Sequence, residues 1–404
     1  MSTSLLYHGW GIVGYQYQRT VYAEGTVTFR IDQDPTTLQC PLCESRKLIR
    51  RGASHRRFRT LPIGCKRVVI EFPIQRVECK SCGAIRQVKV GFADENSRYT
   101  RAFERYVLDL SSHTTIADTA DHLGVSWDVV KDIQKRYLQR KFARPKLGRL
   151  KQIAIDEIYV GKRHKYFTIV LDLDSGAVVF IGEGKGGDAL DPFWRRLKAS
   201  RAKIEAVAID MSQAYFRAVT TNLPKAILVF DHFHVIKLFN EKLTQLRRDL
   251  YREAVDLLQK EVLKGTRWLL LKNPENLDEK RNERQRLQEA LRLNQPLACA
   301  YYLKEDLRQI WGQPDKAKAK AALNDWIRRA GASGIRMLQK FAKTLAAHAE
   351  GILAYYDYPI STGPLEATNN KIKTMQRQAY GFRDQVFFKL KIYALHLTTY
   401  ALVG

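Results

Sequence analysis

The chain has 404 residues, with 68 Lys plus Arg against 42 Asp plus Glu and a formal net charge of +26. Its 45% hydrophobic and 27% charged residues supply a packed core, which excludes wholesale disorder and collagen-like or mucin-like chains; at roughly 150 residues per domain, two or three domains are expected. The cationic excess points to a polyanion, either nucleic acid or an acidic membrane surface, and no window approaches the roughly 18 apolar residues of a membrane-spanning helix.

The first 37 residues carry no basic and apolar leader pattern and read as an amino-terminal arm. A zinc-ribbon-like module over 38–95 follows. Cys40-Pro-Leu-Cys43 and Cys79-Lys-Ser-Cys82-Gly83 are two C-x-x-C turns that can offer four thiolates to one tetrahedral ion, which suits structural Zn2+. Gly83 lets the chain turn tightly beside the metal. Arg67–Phe72 and Ile74–Glu78 read as two short strands between the pairs. Disulfides or a redox pair are the competing reading; the isolated Cys65 and Cys299 and the lack of an export signal favour a reducing compartment. Four thiolates leave no open position for catalysis.

Residues 96–148 have helix-turn-helix spacing. Ile116, Ala120 and Leu123 form one helical stripe, and Val129, Val130 and Ile133 form another. Gly124 supplies the turn and Ser126 an N-cap. From Ser126 and Trp127 the second helix continues through Lys131, Gln134 and Lys135, side chains suited to base edges and phosphates. An ordinary packed helix pair with a basic face is the plainer alternative. Arg144-Pro145-Lys146-Leu-Gly148-Arg149 reads as a linker.

After residue 150 the periodicity changes. Gln152–Ile155 is an apolar run ending in Asp156, Tyr166–Asp172 a second strand, and Ala177–Ile181 a third. A helix over 188–200 leads to Ile204–Ile209, which ends in Asp210. A helix over 213–221 leads to Ala226–Phe230, which ends in Asp231. The first three strands are expected to be antiparallel and the last two, reached by helical crossovers, parallel. The expected fold class is α/β, a ribonuclease H-like core over 149–244 and 356–404 interrupted by an all-helical insertion over 245–355. Asp156 and Asp210 can share a divalent metal if their strands are neighbours; Glu157 points to the opposite face. Pro364 fits the first turn of a helix that Ser361 or Thr362 can cap. Its Glu366, Asn370, Lys373 and Arg377 share one face, with Asn369 flanking, and Leu365, Ile372, Met375 and Ala379 share the other. Acid, amide and cations on one stripe suit metal plus phosphate.

Ala154-Ile-Asp156-Glu157, Ala208-Ile-Asp210-Met211, Phe230-Asp231-His232-Phe233-His234-Val235 and Ser361-Thr-Gly-Pro-Leu-Glu366-Ala-Thr-Asn-Asn-Lys-Ile-Lys373, followed by Ala379-Tyr-Gly-Phe-Arg383, resemble bacterial insertion-sequence transposases of the ISL3 family. The cysteine pairs and helix-turn-helix match that family too, and the resemblance spans roughly residues 38 to 398. It implies a DDE triad of Asp156, Asp210 and Glu366 in a ribonuclease H-like core. These carboxylates would hold Mg2+ (or Mn2+), hard ions with oxygen ligands. It further implies cleavage of transposon ends and strand transfer into target, double-stranded DNA as partner, a homo-oligomer and a cytoplasmic, nucleoid-associated bacterial protein without a membrane. A zinc-containing DNA-binding regulator without catalysis, or a nuclease that cuts without joining, are the alternatives. Roles for Asp231, His232 and His234 stay open.

Overall fold

The structure, a computed structural model, describes residues 4–161 and 165–397. It divides into two compact units, one up to Gln139 and one from Arg140.

The first unit contains α1 (Leu5–Trp10), β1 (Tyr15–Ala23), β2 (Thr26–Gln33), β3 (Leu48–Ile63), β4 (Lys66–Cys79), β5 (Ile85–Gln87), α2 (Arg101–Leu110), α3 (Ile116–Leu123) and α4 (Trp127–Phe142). The strands form one sheet, ordered β1-β2-β4-β3 with β5 also on β4. Residues expected as an arm are therefore part of the sheet. Val27, Phe29 and Ile31 alternate inward, and Leu6, Trp10 and Ile12 join them in a core with Phe58, Ile70, Phe72 and Phe92. β1 is exposed along most of its length, so it carries little apolar alternation to announce it.

The two strands expected over 67–78 are one. Pro73 lies inside β4, between the stretch paired with β2 (67–71) and the stretch paired with β5 (76–78). That gap is where a missing N–H costs least.

The sheet grips the helices through Arg59. Its guanidinium, 9% exposed, donates to the Leu123 carbonyl at the end of α3 at 2.8 Å and sits over the Phe103 ring. Thr115 and Asp118 cap α3 reciprocally, and Gly124 closes it at φ 58°, a left-handed conformation that favours glycine. Buried Glu104 of α2 accepts from Arg136 of α4 at 2.8 Å and from Ser97 at 3.0 Å.

The second unit contains β6 (Gln152–Gly161), β7 (Lys165–Asp172), β8 (Val178–Glu183), α5 (Asp191–Ser200), β9 (Ala206–Ile209), α6 (Gln213–Asn222) and β10 (Ile227–Phe230). A helical array follows: α7 (His232–Glu253), α8 (Leu257–Gly265), α9 (Arg267–Leu271), α10 (Glu283–Leu293), α11 (Gln295–Gln309), α12 (Lys316–Ala332), α13 (Arg336–Ala347) and α14 (Ala349–Leu353). α15 (Gly363–Gln378) and α16 (Gln385–Ala394) end the described chain. The sheet order is β10-β9-β6-β7-β8. β6, β7 and β8 are antiparallel neighbours, while β9 and β10 run parallel to β6. The odd residues of β6, Ile153 and Ile155, pack with Phe193, Trp194 and Tyr215 from α5 and α6. α15 and α16 belong to the opposite face, where Gln376 donates to the Val160 carbonyl at 2.8 Å and Phe388 meets Phe167.

Two expected boundaries fall elsewhere. The proposed linker is packed, with Leu147 and Leu150 buried in the second unit's core and Arg196 bonded to the Pro145 carbonyl. The helical array begins at His232, because Asp231 caps α7 and the helix runs unbroken through the expected border near residue 245. Phe239, Trp326 and Phe341 meet edge to face at the centre of the array. Lys304, 1% exposed, donates to the Leu270 and Lys272 carbonyls at the end of α9, a favourable place for a cation.

α14 packs so closely on β10 that a Cβ on Gly351 would stand 2.4 Å from the Phe230 ring. Gly351→Ala is expected to cost about 1–3 kcal/mol through overpacking, read as a lower unfolding temperature; an unchanged one would show that Phe230 yields freely.

Candidate active site

The parallel strands β6, β9 and β10 each carry an apolar run followed by aspartate; β9 and β10 stop there, whereas β6 runs on past its expected end at Asp156 to Gly161. Ala154 pairs with Ala208 and Ala208 with Val229. Continuing that register sets Asp156, Asp210 and Asp231 side by side at one edge of the sheet, on neighbouring strands about 4.8 Å apart. Alternation puts Glu157 on the other face, where its carboxylate accepts from the Tyr215 hydroxyl at 3.1 Å.

α15 supplies the next groups. Its first turn carries Glu366, and one turn on Asn369 donates from Nδ2 to Asp156 Oδ2 at 3.0 Å. Asn369 is 6% exposed and its Oδ1 has no hydrogen-bond partner. Asn370, Lys373 and Arg377 are exposed, so Asn369 and not Asn370 is the amide that reaches the aspartate. Thr362 stands at the N-cap without capping, because its hydroxyl donates to Asp231 Oδ2. Ser361 Oγ instead accepts from the Gly363 N–H at 3.2 Å.

Asp231 is saturated. Oδ1 accepts from the Phe233 N–H at 3.0 Å, and Oδ2 takes Thr362 and His234 Nδ1, the latter at 3.2 Å. Although burial opposes ionisation, the hydrogen bonds from His234, Thr362 and Phe233 outweigh it and hold this carboxyl below its ordinary range. An ionised carboxylate only accepts, so His234 Nδ1 carries the proton. Its Nε2 then points at Glu366, 3.8 Å from Oε1. The Asp231 hydrogen bond, followed by the fields of Asp156, Asp231 and Asp210, raises the His234 pKa against its burial. Burial pushes Asp156 up to about 6, against the N–H of Glu157 and the charge of His234. The carboxylates around His234 thus favour its charged form. His232 turns away, into rings contributed by Phe233, Trp311 and Tyr355. Asp231→Asn is expected to lower the His234 pKa, followed by the imidazole proton shifts in an NMR titration; an unmoved midpoint would rule out Asp231 as the cause.

The donor set near Asp156 is all oxygen: two carboxylates on adjacent strands, Glu366 across from them, and the unpartnered Asn369 Oδ1. Such a set fits a hard divalent ion. Among the described residues, the four cysteines are the one acid, thiol or imidazole group whose ligand atoms all lie within 4.8 Å of one another; Asp156, Asp210 and Glu366 do not stand that close together.

In the first unit, Cys40 and Cys82 Sγ are 3.7 Å apart, and Cys43 and Cys79 Sγ 3.5 Å. These separations are close to the edge of about 3.8 Å of a tetrahedron with Zn–S bonds of about 2.3 Å, and far from a disulfide. Each turn ends in a left-handed residue, Glu44 at φ 59° and Gly83 at φ 69°. N–H groups of Cys43 and Leu42 lower the Cys40 pKa; those of Cys82 and Ser81 bring Cys79 to about 6. Thiolates are the form a metal binds.

On α4, Trp127 is 42% exposed with Lys131 Nζ 5.4 Å from its ring centre, and Lys135 follows one turn later. Ser126 is exposed. Gln134 is 6% exposed and belongs to the buried stripe of Val130, Ile133 and Leu138. It cannot read a base edge, which corrects the expectation for that residue.

Known proteins resemble this chain along most of its length. A family profile described as a transposase, of the ISL3 DDE type, matches residues 153–392. The chain belongs to the ISL3 transposase family. The family's helix-turn-helix profile matches residues 88–138, and the zinc-finger profile of the IS204/IS1001/IS1096/IS1165 transposases matches 37–82. The transposase of insertion sequence IS1001 from Bordetella parapertussis is 33% identical over 96% of both chains. The IS1557 transposase of Mycobacterium tuberculosis is 31% identical over 83% of this chain and 80% of its own. The Drosophila P element transposase strand transfer complex aligns with a TM-score of 0.35 and 12% identity, over 67% of this chain and 82% of that one.

Proposed function

We propose that this ISL3 transposase cuts the ends of its insertion sequence and joins them to target DNA at Asp156, Asp210 and Glu366, in a ribonuclease H-like core. The observation that carries the proposal is the shared register of Asp156 and Asp210 on parallel β6 and β9, with α15 presenting Glu366 through the Asn369–Asp156 hydrogen bond. Three antiparallel strands followed by two parallel ones, ordered β10-β9-β6-β7-β8, support the ribonuclease H-like assignment. Asp156, Asp210 and Glu366 would hold Mg2+ or Mn2+, which activates water or a DNA 3′-hydroxyl and stabilises the departing oxygen. The chain's own groups do the rest. Asp231 and Thr362 fix the His234 ring, Asn369 orients Asp156, and Lys373 and Arg377 attract the phosphate backbone. Two ends must be processed together, so the working form is a homo-oligomer.

A plasmid carrying the element with its native flanks tests this directly. Mg2+ should give nicks at both ends and strand-transfer products, and Asp210→Asn or Glu366→Gln should give neither. Joining of pre-cleaved ends separates a transposase from a nuclease that only cuts.

End binding belongs to the first unit, through Ser126, Trp127, Lys131 and Lys135. Lys131→Ala and Lys135→Ala should each weaken binding and reduce the slope of log K against log salt by about 0.9 if one phosphate contact is lost. Mobility-shift titrations at several salt concentrations give the slope; an unaltered slope removes that lysine from the interface.

A further inference from the structure

The first turn of α7 faces two ways. Asp231 and His234 serve the carboxylate site, while His232 and Phe233 line a cavity of about 690 Å3 that continues along α7 toward α9 and α11. Its volume lies within the roughly 300–1,000 Å3 of small-molecule sites.

Three features of its lining specify an occupant. The first is aromatic: Phe233 is 54% exposed, its ring centre 4.0 Å from that of His232, which in turn lies 5.8 Å from Trp311. The second is hydrogen-bonding capacity. Asn240, Thr244 and Asn273 bring amide and hydroxyl groups to the lining. The third is charge: Lys237, Arg248 and Arg267 line the opening against a single acid, Glu241. Arg308, also in the wall, is neutralised by Glu275 and Glu305. Arg267 lies over Trp268, which is 65% exposed.

A flat ring with hydrogen-bonding edges and an attached anion matches all three. We propose that this cavity receives a nucleobase unstacked from the transposon end beside the cleaved bond, with the adjoining phosphates on Lys237, Arg248 and Arg267. Unstacking costs a few kcal/mol, offset by stacking on side chains and by new edge contacts. The proposal rests on the DDE reading, because that reading places the cut at the carboxylates that His234, in the same turn of α7, reaches.

The test uses the full chain and duplexes of the element's end with its flank, carrying 5-iododeoxyuridine at one position at a time around the cut. Irradiation should cross-link one such nucleotide to the peptide containing Phe233 or Trp311. Phe233→Ala, exposed enough to leave the fold intact, should lose that cross-link, and Phe233→Tyr should keep it. Phe233→Ala should also cut about tenfold to a hundredfold more slowly, the range expected for one base–aromatic stack. That deficit should disappear on a duplex lacking the base at the cross-linked position. Wild-type cutting with no cross-link to either peptide, or Phe233→Ala cutting at the wild-type rate, overturns the cavity proposal and leaves the triad standing. A wild-type chain that cuts neither end overturns the triad, and the cavity proposal with it.

Discussion

Asp156→Asn is expected to abolish Mg2+-dependent end cleavage while leaving end binding unchanged. A carboxylate that holds a catalytic ion contributes several kcal/mol of transition-state stabilisation, so a loss of about 10³-fold or more is expected. Binding survives because the helix-turn-helix lies in the other unit. Full cleavage by the variant would sink the triad.

The same substitution has an opposite effect on stability in chelator. Burial raises Asp156 to about 6, above the ordinary carboxyl value near 4. A raised pKa means that the folded state holds the proton more tightly. Its favourable contribution is complete below about pH 4 and lost as pH rises through about 6. At pH 8 the buried charge therefore costs folding about 3 kcal/mol at most. Asparagine keeps the shape without the charge, so the variant should melt higher than wild type in EDTA at pH 8 and equally near pH 4. Added Mg2+ should then stabilise wild type alone. Differential scanning calorimetry at the two pH values reads both effects.

The second large effect is zinc loss. One zinc per chain is expected by elemental analysis, and Cys79→Ala should remove it. Structural zinc contributes about 10–16 kcal/mol in zinc-finger peptides that lack any other core. This unit has a core of its own around Phe58, Phe72 and Phe92, so the loss should be smaller. It should still be several kcal/mol, because Cys79 ends β4 opposite Leu48 and both turns hang from that pairing. DNA-end binding should fall with it. A zinc-free chain with native binding would restore the disulfide reading.

Most of the carboxylate layout is legible because three apolar runs each meet an aspartate. Ile155-Asp156, Ile209-Asp210 and Phe230-Asp231 repeat one pattern, and the parallel register of β6, β9 and β10 sets the three aspartates level although β6 runs on to Gly161. The cysteine spacing was legible for a similar reason, since two tight turns leave few geometries.

The errors share a cause. Gln134 is assigned by chemical type and Asn369 is left flanking a face whose amide is given to Asn370, yet each falls on a buried stripe: Val130-Ile133-Gln134-Leu138 and Leu365-Asn369-Ile372-Met375. A polar residue in phase with an apolar stripe faces inward, and it needs a partner there or contributes one. That signal was present in the periodicity for both. The amino-terminal strands were missed because β1 buries little, and the packed segment at Leu147 and Leu150 because proline and glycine mark turns whether or not the chain is covered.

The unbroken run of α7 has a mechanical consequence. Its 22 residues make a rod about 33 Å long, with His234 seated in its first turn and its far end among the helices of the array. A stiff rod transmits rotation with little loss along its length. Any displacement of the array along that rod would therefore reach the imidazole seated among the carboxylates.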